Sequence, residues 1–163
     1  MMRGLAPLAL ALGVAGCGLQ PMYAGGGNGL VARELGAIEV PAIEGQSGWL
    51  VRNALVDRLG AASGAGAKYR LDVRLDDKLE GLGVLSDDTI GRERRTLRAR
   101  YQLVDLATGE IMVDATAGSD AGIDVVSSEY ATIAAEQTAL ENLAREVASQ
   151  ITTRLALTLR EQQ

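Results

Sequence analysis

The sequence predicts an α+β domain, a two-layer sandwich in which two helices pack on one face of a mixed four-stranded sheet, in the order β-α-β-β-β-α. Two observations predict this fold. Apolar and polar residues alternate in three consecutive segments between Tyr69 and Ala117, which is typical of strands with one buried face. The apolar period then lengthens to about 3.6 residues from Tyr130 to Leu159, which is typical of a long amphipathic helix.

The first residues of the chain have the pattern of a secretory signal. Arg3 precedes an apolar run from Leu5 to Val14 that is too short to span a bilayer, and small residues follow it up to Cys17, the only cysteine. Small residues directly before a lone cysteine resemble a bacterial lipobox, in which the cysteine is diacylated and becomes the first mature residue. We therefore predict a lipoprotein signal peptide over residues 1–16 and lipidation of Cys17. The alternative is a buried free cysteine behind an ordinary secretory signal.

Composition limits the classes of function. The chain has 16 Lys and Arg against 21 Asp and Glu, a formal net charge of −5, so it lacks the basic surplus of a nucleic-acid-binding protein. It has no histidine, which excludes Ser-His and Cys-His nucleophile pairs and the commonest metal ligand. Adjacent acids at Asp76-Asp77 and Asp87-Asp88 are interpreted as solvated strand ends and loops, with a weak cation site as the less favoured alternative. We predict no enzyme, no cofactor and no metal site.

Two elements open the domain. Residues 17–33 are glycine-rich and are predicted to form a lipidated tether, and residues 34–163 a single domain. A short strand is predicted around Ile38 and Val40, before Pro41. A helix of about three turns follows, with Ser47 as the predicted N-cap and Gly60 as the stop.

Three strands come next, and the last two are joined at Gly109 into a hairpin. Loops are predicted over residues 81–91 and 118–129. The residues predicted to face inward are Tyr69, Leu71, Val73 and Leu75, then Leu97, Ala99, Tyr101 and Leu103, and then Ile111, Val113, Ala115 and Ala117.

A long helix closes the chain. Its predicted apolar stripe consists of Ile133, Leu140, Leu143 or Ala144, Val147, Ile151, Leu155 and Leu159. Because both helices have to bury their stripes, we expect them on the same face of the sheet. The other face, which carries alternating charges, is left for solvent or a partner.

Two segments resemble those of a known family. Residues 17–23, Cys-Gly-Leu-Gln-Pro-Met-Tyr, are similar to the mature start of LPS-assembly lipoproteins of the LptE type. The segment from Trp49 to Leu59, reached through Ile43-Glu44-Gly45, resembles the Leu-Arg-Asn-x-Leu helix of that family. Trp49 stands where a polar residue is usual.

The resemblance implies an outer-membrane lipoprotein on the periplasmic face, held in the outer membrane by its N-terminal acyl chains. It implies a partner, an LptD-type outer-membrane β-barrel whose lumen the protein plugs, and a ligand, lipopolysaccharide, whose assembly in the outer leaflet it assists without catalysis. Nucleic acid is not an expected partner. Gly18 at the second mature position is compatible with outer-membrane sorting. A lipoprotein activator or scaffold of a periplasmic cell-wall enzyme remains the alternative, because composition does not separate the two.

A cluster of five arginines stands out in this acidic chain. It consists of Arg92, Arg94, Arg95, Arg98 and Arg100. If a strand begins near Ile90, alternation places four of these side chains on the open face and Arg95 on the other. Guanidinium groups suit the capture of phosphate and carboxylate, both of which lipopolysaccharide presents. The candidate lipopolysaccharide-binding residues are therefore Arg92, Arg94, Arg98 and Arg100. The alternative is that the cluster only pairs with nearby carboxylates, namely Asp72, Asp76, Asp87, Asp88 and Asp114.

Overall fold

The computed structural model describes residues 29–60, 66–84 and 90–161. Its elements, in chain order, are α1 (Leu30–Gly36), β1 (Ile38–Glu39), α2 (Gly45–Leu59), β2 (Tyr69–Val84), β3 (Ile90–Asp105), β4 (Ile111–Asp124) and α3 (Glu129–Glu161). The predicted signal peptide, Cys17, most of the predicted tether and the pair Asp87-Asp88 lie outside the described residues.

The four strands form one mixed sheet, as predicted, and their order in the sheet is β1-β2-β3-β4. β1 runs parallel to β2, and the other neighbours are antiparallel. The turn between β3 and β4 contains Gly109 in the left-handed region, with φ of 75°. Asp105 stabilises this turn because its Oδ1 accepts hydrogen bonds from the Ala107 and Thr108 backbone N–H groups, at 2.7 and 3.1 Å.

The loops predicted over residues 81–91 and 118–129 are mostly wrong. β2 continues to Val84, β3 begins at Ile90 and β4 continues to Asp124. Glycines weaken the local strand signal in these segments. Pairing overrides it, since Gly118 and Gly122 lie opposite Arg98 and Arg94 in the ladder between β3 and β4.

Alternation gives the sheet an inner face that packs against the helices and an outer face that points away from them. The buried inner-face residues are Leu71, Leu97, Ala99, Tyr101, Leu103, Val113, Ala117 and Ile123. Ile111 is an exception to the predicted pattern. A register shift pairs Leu103 with Val113 but Val104 with Ile111, so Ile111 turns to the outer face and is exposed.

The helical layer is α1, α2 and α3. The predicted stripe of α3 is buried from Leu140 to Leu159, whereas Ile133 is 54% exposed near the start of the helix. The buried α2 residues Val51, Leu55 and Leu59 belong to the same hydrophobic core. The predicted two-layer α+β sandwich is therefore present, with one helix more than expected.

α2 begins at Gly45, not after Ser47, and Glu44 takes the N-cap position without a side-chain hydrogen bond. The chain enters the helix at Gly45 with φ of 80°, a conformation open to glycine. Gly48 lies in the first turn, where an added Cβ would approach the Ile43 carbonyl oxygen to 2.5 Å. Gly60 ends the helix in the left-handed conformation, as predicted.

α1 is the helix that the sequence pattern does not predict. It buries Leu35, and its Glu34 carboxylate accepts hydrogen bonds from Lys68 Nζ at 2.8 Å and Tyr69 Oη at 3.3 Å. The first strand is shorter than expected, because Pro41 has no N–H with which to continue a ladder. No helix in the part of the chain that the structure describes is both long and apolar enough to cross a membrane.

Candidate functional site

The structure places the four predicted arginines, Arg92, Arg94, Arg98 and Arg100, on the outer face of β3. Arg95 lies on the inner face, as the alternation from Ile90 predicts. One segment of sequence therefore supplies arginines to two different environments.

Three of the four outer arginines already have carboxylate neighbours on β4. Arg92 Nε lies 3.3 Å from Asp124 Oδ1, and Arg94 Nε lies 3.9 Å from Asp120 Oδ2. Arg100 Nη2 lies 3.0 Å from Asp114 Oδ2 and forms the best hydrogen-bonded pair of the three. All of these side chains are well exposed, so each pair contributes little to stability.

The predicted alternative, pairing with nearby carboxylates, is thus partly realised, but mostly with different aspartates. Of the predicted partners, only Asp114 pairs with the cluster among the described residues. Asp72 and Asp76 instead pair within β2, with Arg70 Nε at 2.9 Å and Lys78 Nζ at 3.1 Å.

Arg98 has no carboxylate within salt-bridge distance in the described parts of the chain, and neither has Arg74 on β2. Arg74 lies directly opposite Arg100 in the ladder between β2 and β3, and Arg98 is two residues from Arg100 on the same face. Three arginines therefore lie side by side on the outer face, with Asp114 paired to Arg100 and Asp76 opposite Arg98 in the ladder. We call Arg74, Arg98 and Arg100 the arginine site.

Gly118 opens space beside the arginine site. It pairs with Arg98, and an added Cβ would lie 3.3 Å from Arg98 Cγ, so the Arg98 stem lies across a position without a side chain. A groove of about 450 Å³ lies here, and its lining includes all three arginines, Asp76, Thr116 and Gly118. A second groove of about 550 Å³ shares Arg74 and Arg100 and extends to Pro41 and Ile43.

Asp114 and the arginine site change each other's pKa values through a hydrogen bond between Asp114 and Arg100. Hydrogen bonds from Arg100 and then from Gln102 lower the pKa of Asp114 below its ordinary value. The hydrogen bond to Asp114 raises the pKa of Arg100 in turn. The Asp114 carboxylate therefore holds the Arg100 guanidinium group, while Arg74 and Arg98 keep their hydrogen-bonding capacity.

Arg95 has a different role on the inner face. Its Nε and Nη2 donate to the two oxygens of Asp77 at 2.9 and 2.8 Å, and its Nη1 donates to the Glu136 carbonyl on α3 at 3.3 Å. The two side chains are only 17% and 21% exposed. Arg95 therefore connects the sheet to the long helix and is not available to a ligand.

Arg74 is the candidate residue that the sequence cluster misses. Alternation already places it on the open face, but its distance from the cluster in sequence hides the contact. Only the register, in which Arg74 pairs with Arg100, brings it into the site.

The exposed guanidinium groups give this surface the hydrogen-bond donors that suit an anion. Guanidinium groups donate two parallel hydrogen bonds to phosphate or carboxylate oxygens. Within the described ranges, no group of three or more acidic, histidine or cysteine side chains is placed to hold a metal ion.

Comparisons with known proteins agree on the fold. A crystal structure from Caulobacter crescentus CB15, of a protein described as a lipoprotein, is similar with a TM-score of 0.69 and 29% identity, covering 82% of this chain and 97% of that one. The minor lipoprotein from Acinetobacter baumannii is similar with a TM-score of 0.56 and 17% identity, covering 75% and 90%. Rare lipoprotein B from Shewanella oneidensis is similar with a TM-score of 0.54 and 12% identity, covering 76% and 95%.

A comparison of the sequence with protein families assigns the chain to one of them. A search of the curated proteins gives no match. Residues 35–155 match the family described as "LptE: Lipopolysaccharide-assembly", which covers most of the chain, including the whole sheet and most of α3. The chain therefore belongs to the LptE family of lipopolysaccharide-assembly proteins.

Proposed function

We propose that the protein is an outer-membrane lipoprotein on the periplasmic face that binds lipopolysaccharide and plugs an LptD-type β-barrel during lipopolysaccharide assembly. It catalyses no reaction, and acyl chains on Cys17 hold it in the membrane. The family membership supports the assembly role. The observation that carries ligand binding is the arginine site, where two of three exposed guanidinium groups lack a carboxylate partner among the described residues.

The proposed ligand contact is with the phosphate groups of lipopolysaccharide. Arg74 and Arg98 bind phosphate oxygens beside Gly118, and Arg100 contributes from its pair with Asp114. Arg92 and Arg94 continue the same face of β3 and complete the proposed binding strip. Because neighbouring carboxylates partly neutralise Arg92 and Arg94, we assign these two residues a smaller contribution to binding than the arginine site.

Ligand binding is tested with the full chain and purified lipopolysaccharide at low and moderate salt. Arg74→Gln with Arg98→Gln should weaken binding by about tenfold or more, because two charge-assisted contacts are lost. Arg58→Gln with Arg160→Gln makes the same change in net charge away from the site and should leave binding unchanged. Equal affinities for both double variants would overturn the arginine site.

The plug role is tested by purification from detergent-solubilised outer membranes. We expect a stable complex with a large β-barrel. Recovery of a cell-wall enzyme in place of a barrel would overturn the plug role and favour an activator or scaffold.

The anchor is tested by fractionation. Cys17→Ser should abolish acylation and release the protein from the membrane fraction or leave it with an uncleaved signal peptide. Unchanged acylation and fractionation would contradict the assignment of Cys17.

A further inference from the structure

The two edge strands of the sheet, β4 and β2, have different neighbours. On β4, Gln150 of α3 occupies one position of the edge, because its amide accepts from the Gly118 N–H and donates to the Gly118 carbonyl, both at 3.2 Å. On β2, the partner strand β1 pairs only with Tyr69 and Arg70. Beyond Arg70, the edge of β2 has no strand partner in the part of the chain that the structure describes.

The backbone groups available on the β2 edge follow from alternation. The Tyr69 N–H donates to the Ala37 carbonyl on the side of β1. Every second residue from there, including Leu75, Asp77 and Leu79, therefore directs its N–H and C=O toward the open edge. An extended chain added there would find a continuous row of donors and acceptors.

Charges on an edge strand commonly oppose strand addition. Here they alternate in sign along the outer face of β2: Arg70, Asp72, Arg74, Asp76, Lys78 and Glu80. In an antiparallel pair of two identical strands, residues opposite each other have a constant sum of residue numbers. Registers with sums of 152 and 156 place like charges opposite each other, whereas sums of 150, 154 and 158 place unlike charges opposite each other, so the pattern selects between registers.

Two further observations select the register. With a sum of 150 or 154, Glu80 or Val84 of one copy would lie opposite Arg70 of the other, where β1 already pairs. With a sum of 158, Val84 lies opposite Arg74, clear of β1. The two-fold axis then passes through Leu79, which is 44% exposed on the inner face and meets its own copy.

We propose that a second copy of this chain pairs with the open β2 edge, antiparallel, about a two-fold axis at Leu79. Leu79 packs on Leu79 of the second copy, and Lys78 faces Glu80 in both directions. The result is a continuous sheet six strands wide, in the order β4-β3-β2-β2-β3-β4, with each β1 beside the end of its own β2 and both helical layers on the same side. This self-pairing is a property of the protein without its other partners and does not rest on the proposed lipopolysaccharide function.

The register is tested by cross-linking the full chain carrying Cys17→Ser, in which an introduced cysteine is the only thiol. Directly opposed residues in a hydrogen-bonded pair have Cα atoms about 5.5 Å apart, within the range of a disulfide. Leu79→Cys should form a disulfide-linked dimer on mild oxidation. Leu75→Cys, on the same face of β2, should not, because it lies opposite residue 83. No dimer from Leu79→Cys, or a dimer from Leu75→Cys instead, would overturn the proposed pairing.

A charge exchange tests the same contact without a cysteine. Lys78→Glu alone places two carboxylates opposite each other at both Lys78–Glu80 contacts of the dimer and should weaken dimerisation in sedimentation equilibrium by about tenfold. Glu80→Lys alone should do the same, and the double variant Lys78→Glu with Glu80→Lys should restore the wild-type constant. Circular dichroism checks folding. A monomeric wild type at all concentrations, or a double variant as weak as the single variants, would overturn the proposal, whereas loss of lipopolysaccharide binding alone would not touch it.

Discussion

Arg95 and Arg98 lie three residues apart on β3, yet they have opposite roles. Arg95 is on the inner face and is mostly buried. Its guanidinium group donates hydrogen bonds to both carboxylate oxygens of Asp77 and to the Glu136 carbonyl on α3. Arg98 is on the outer face and has no carboxylate partner among the described residues. The comparison shows that the face of the strand, and not membership of an arginine-rich segment, decides whether a guanidinium group holds the fold or remains available to a ligand.

The largest expected effect comes from charging the inner layer. Val147 is fully buried on α3, and Val147→Asp should destabilise the domain by about 3–5 kcal/mol or prevent folding, because the new carboxylate has no partner in an apolar core. Thermal unfolding followed by circular dichroism measures it. Thr153→Asp on the exposed side of the same helix is the control. A wild-type melting temperature for Val147→Asp would show that this face of α3 is solvated.

Two adjacent residues of β3 give a sharper comparison of the faces. Leu97→Ala should cost about 2–5 kcal/mol of unfolding free energy, because Leu97 is fully buried on the inner face. Arg98→Ala, one residue later on the outer face, should change stability by about 0.5 kcal/mol or less. Urea denaturation of both variants measures the difference. Similar costs for the two would contradict the assignment of faces.

The Arg95–Asp77 pair should have an intermediate effect. Arg95→Met should cost about 1–3 kcal/mol, because a mostly buried carboxylate and the Glu136 carbonyl lose their donor, while the residual exposure limits the penalty. Asp77→Leu added to Arg95→Met should recover part of the loss, since no unpaired charge then remains. Chemical denaturation measures both. If Arg95→Met were as stable as the wild type, the pair would contribute as little as the exposed ion pairs of the outer face.

The smallest effect concerns Arg100 and Asp114 on the outer face. Arg100→Gln should raise the pKa of Asp114 toward its ordinary value, because the largest stabilising hydrogen bond to the carboxylate is removed, while Gln102 remains. The folded-state pKa of Asp114 is lowered, so its contribution to stability is present above the unfolded pKa, about 3.9, and is lost as the pH falls through the folded value. An NMR titration of the Asp114 side chain tests this. An unchanged pKa in Arg100→Gln would place the cause elsewhere.

Much of the fold is determined by local sequence. The alternation from Tyr69 to Ala117 assigned inner and outer faces correctly at most positions, and the stripe from Leu140 to Leu159 located the core side of α3. Both predictions are correct because the periods of a strand and of a helix can be recognised from consecutive residues alone. The short helix α1, the full strand lengths and the turn of Ile111 to the outer face escaped prediction, since each depends on contacts between distant residues.

The candidate site divides in the same way. The sequence by itself determined that arginines of β3 fall on two faces, because side chains alternate along any strand. Only the tertiary structure decided which of them are free. The pairing of β2, β3 and β4 places Arg92 and Arg94 beside β4 aspartates, Arg74 opposite Arg100 and Gly118 beneath Arg98. Register is a property of two strands together, and a shift by one residue would reverse every face, so no pattern within one strand can specify it.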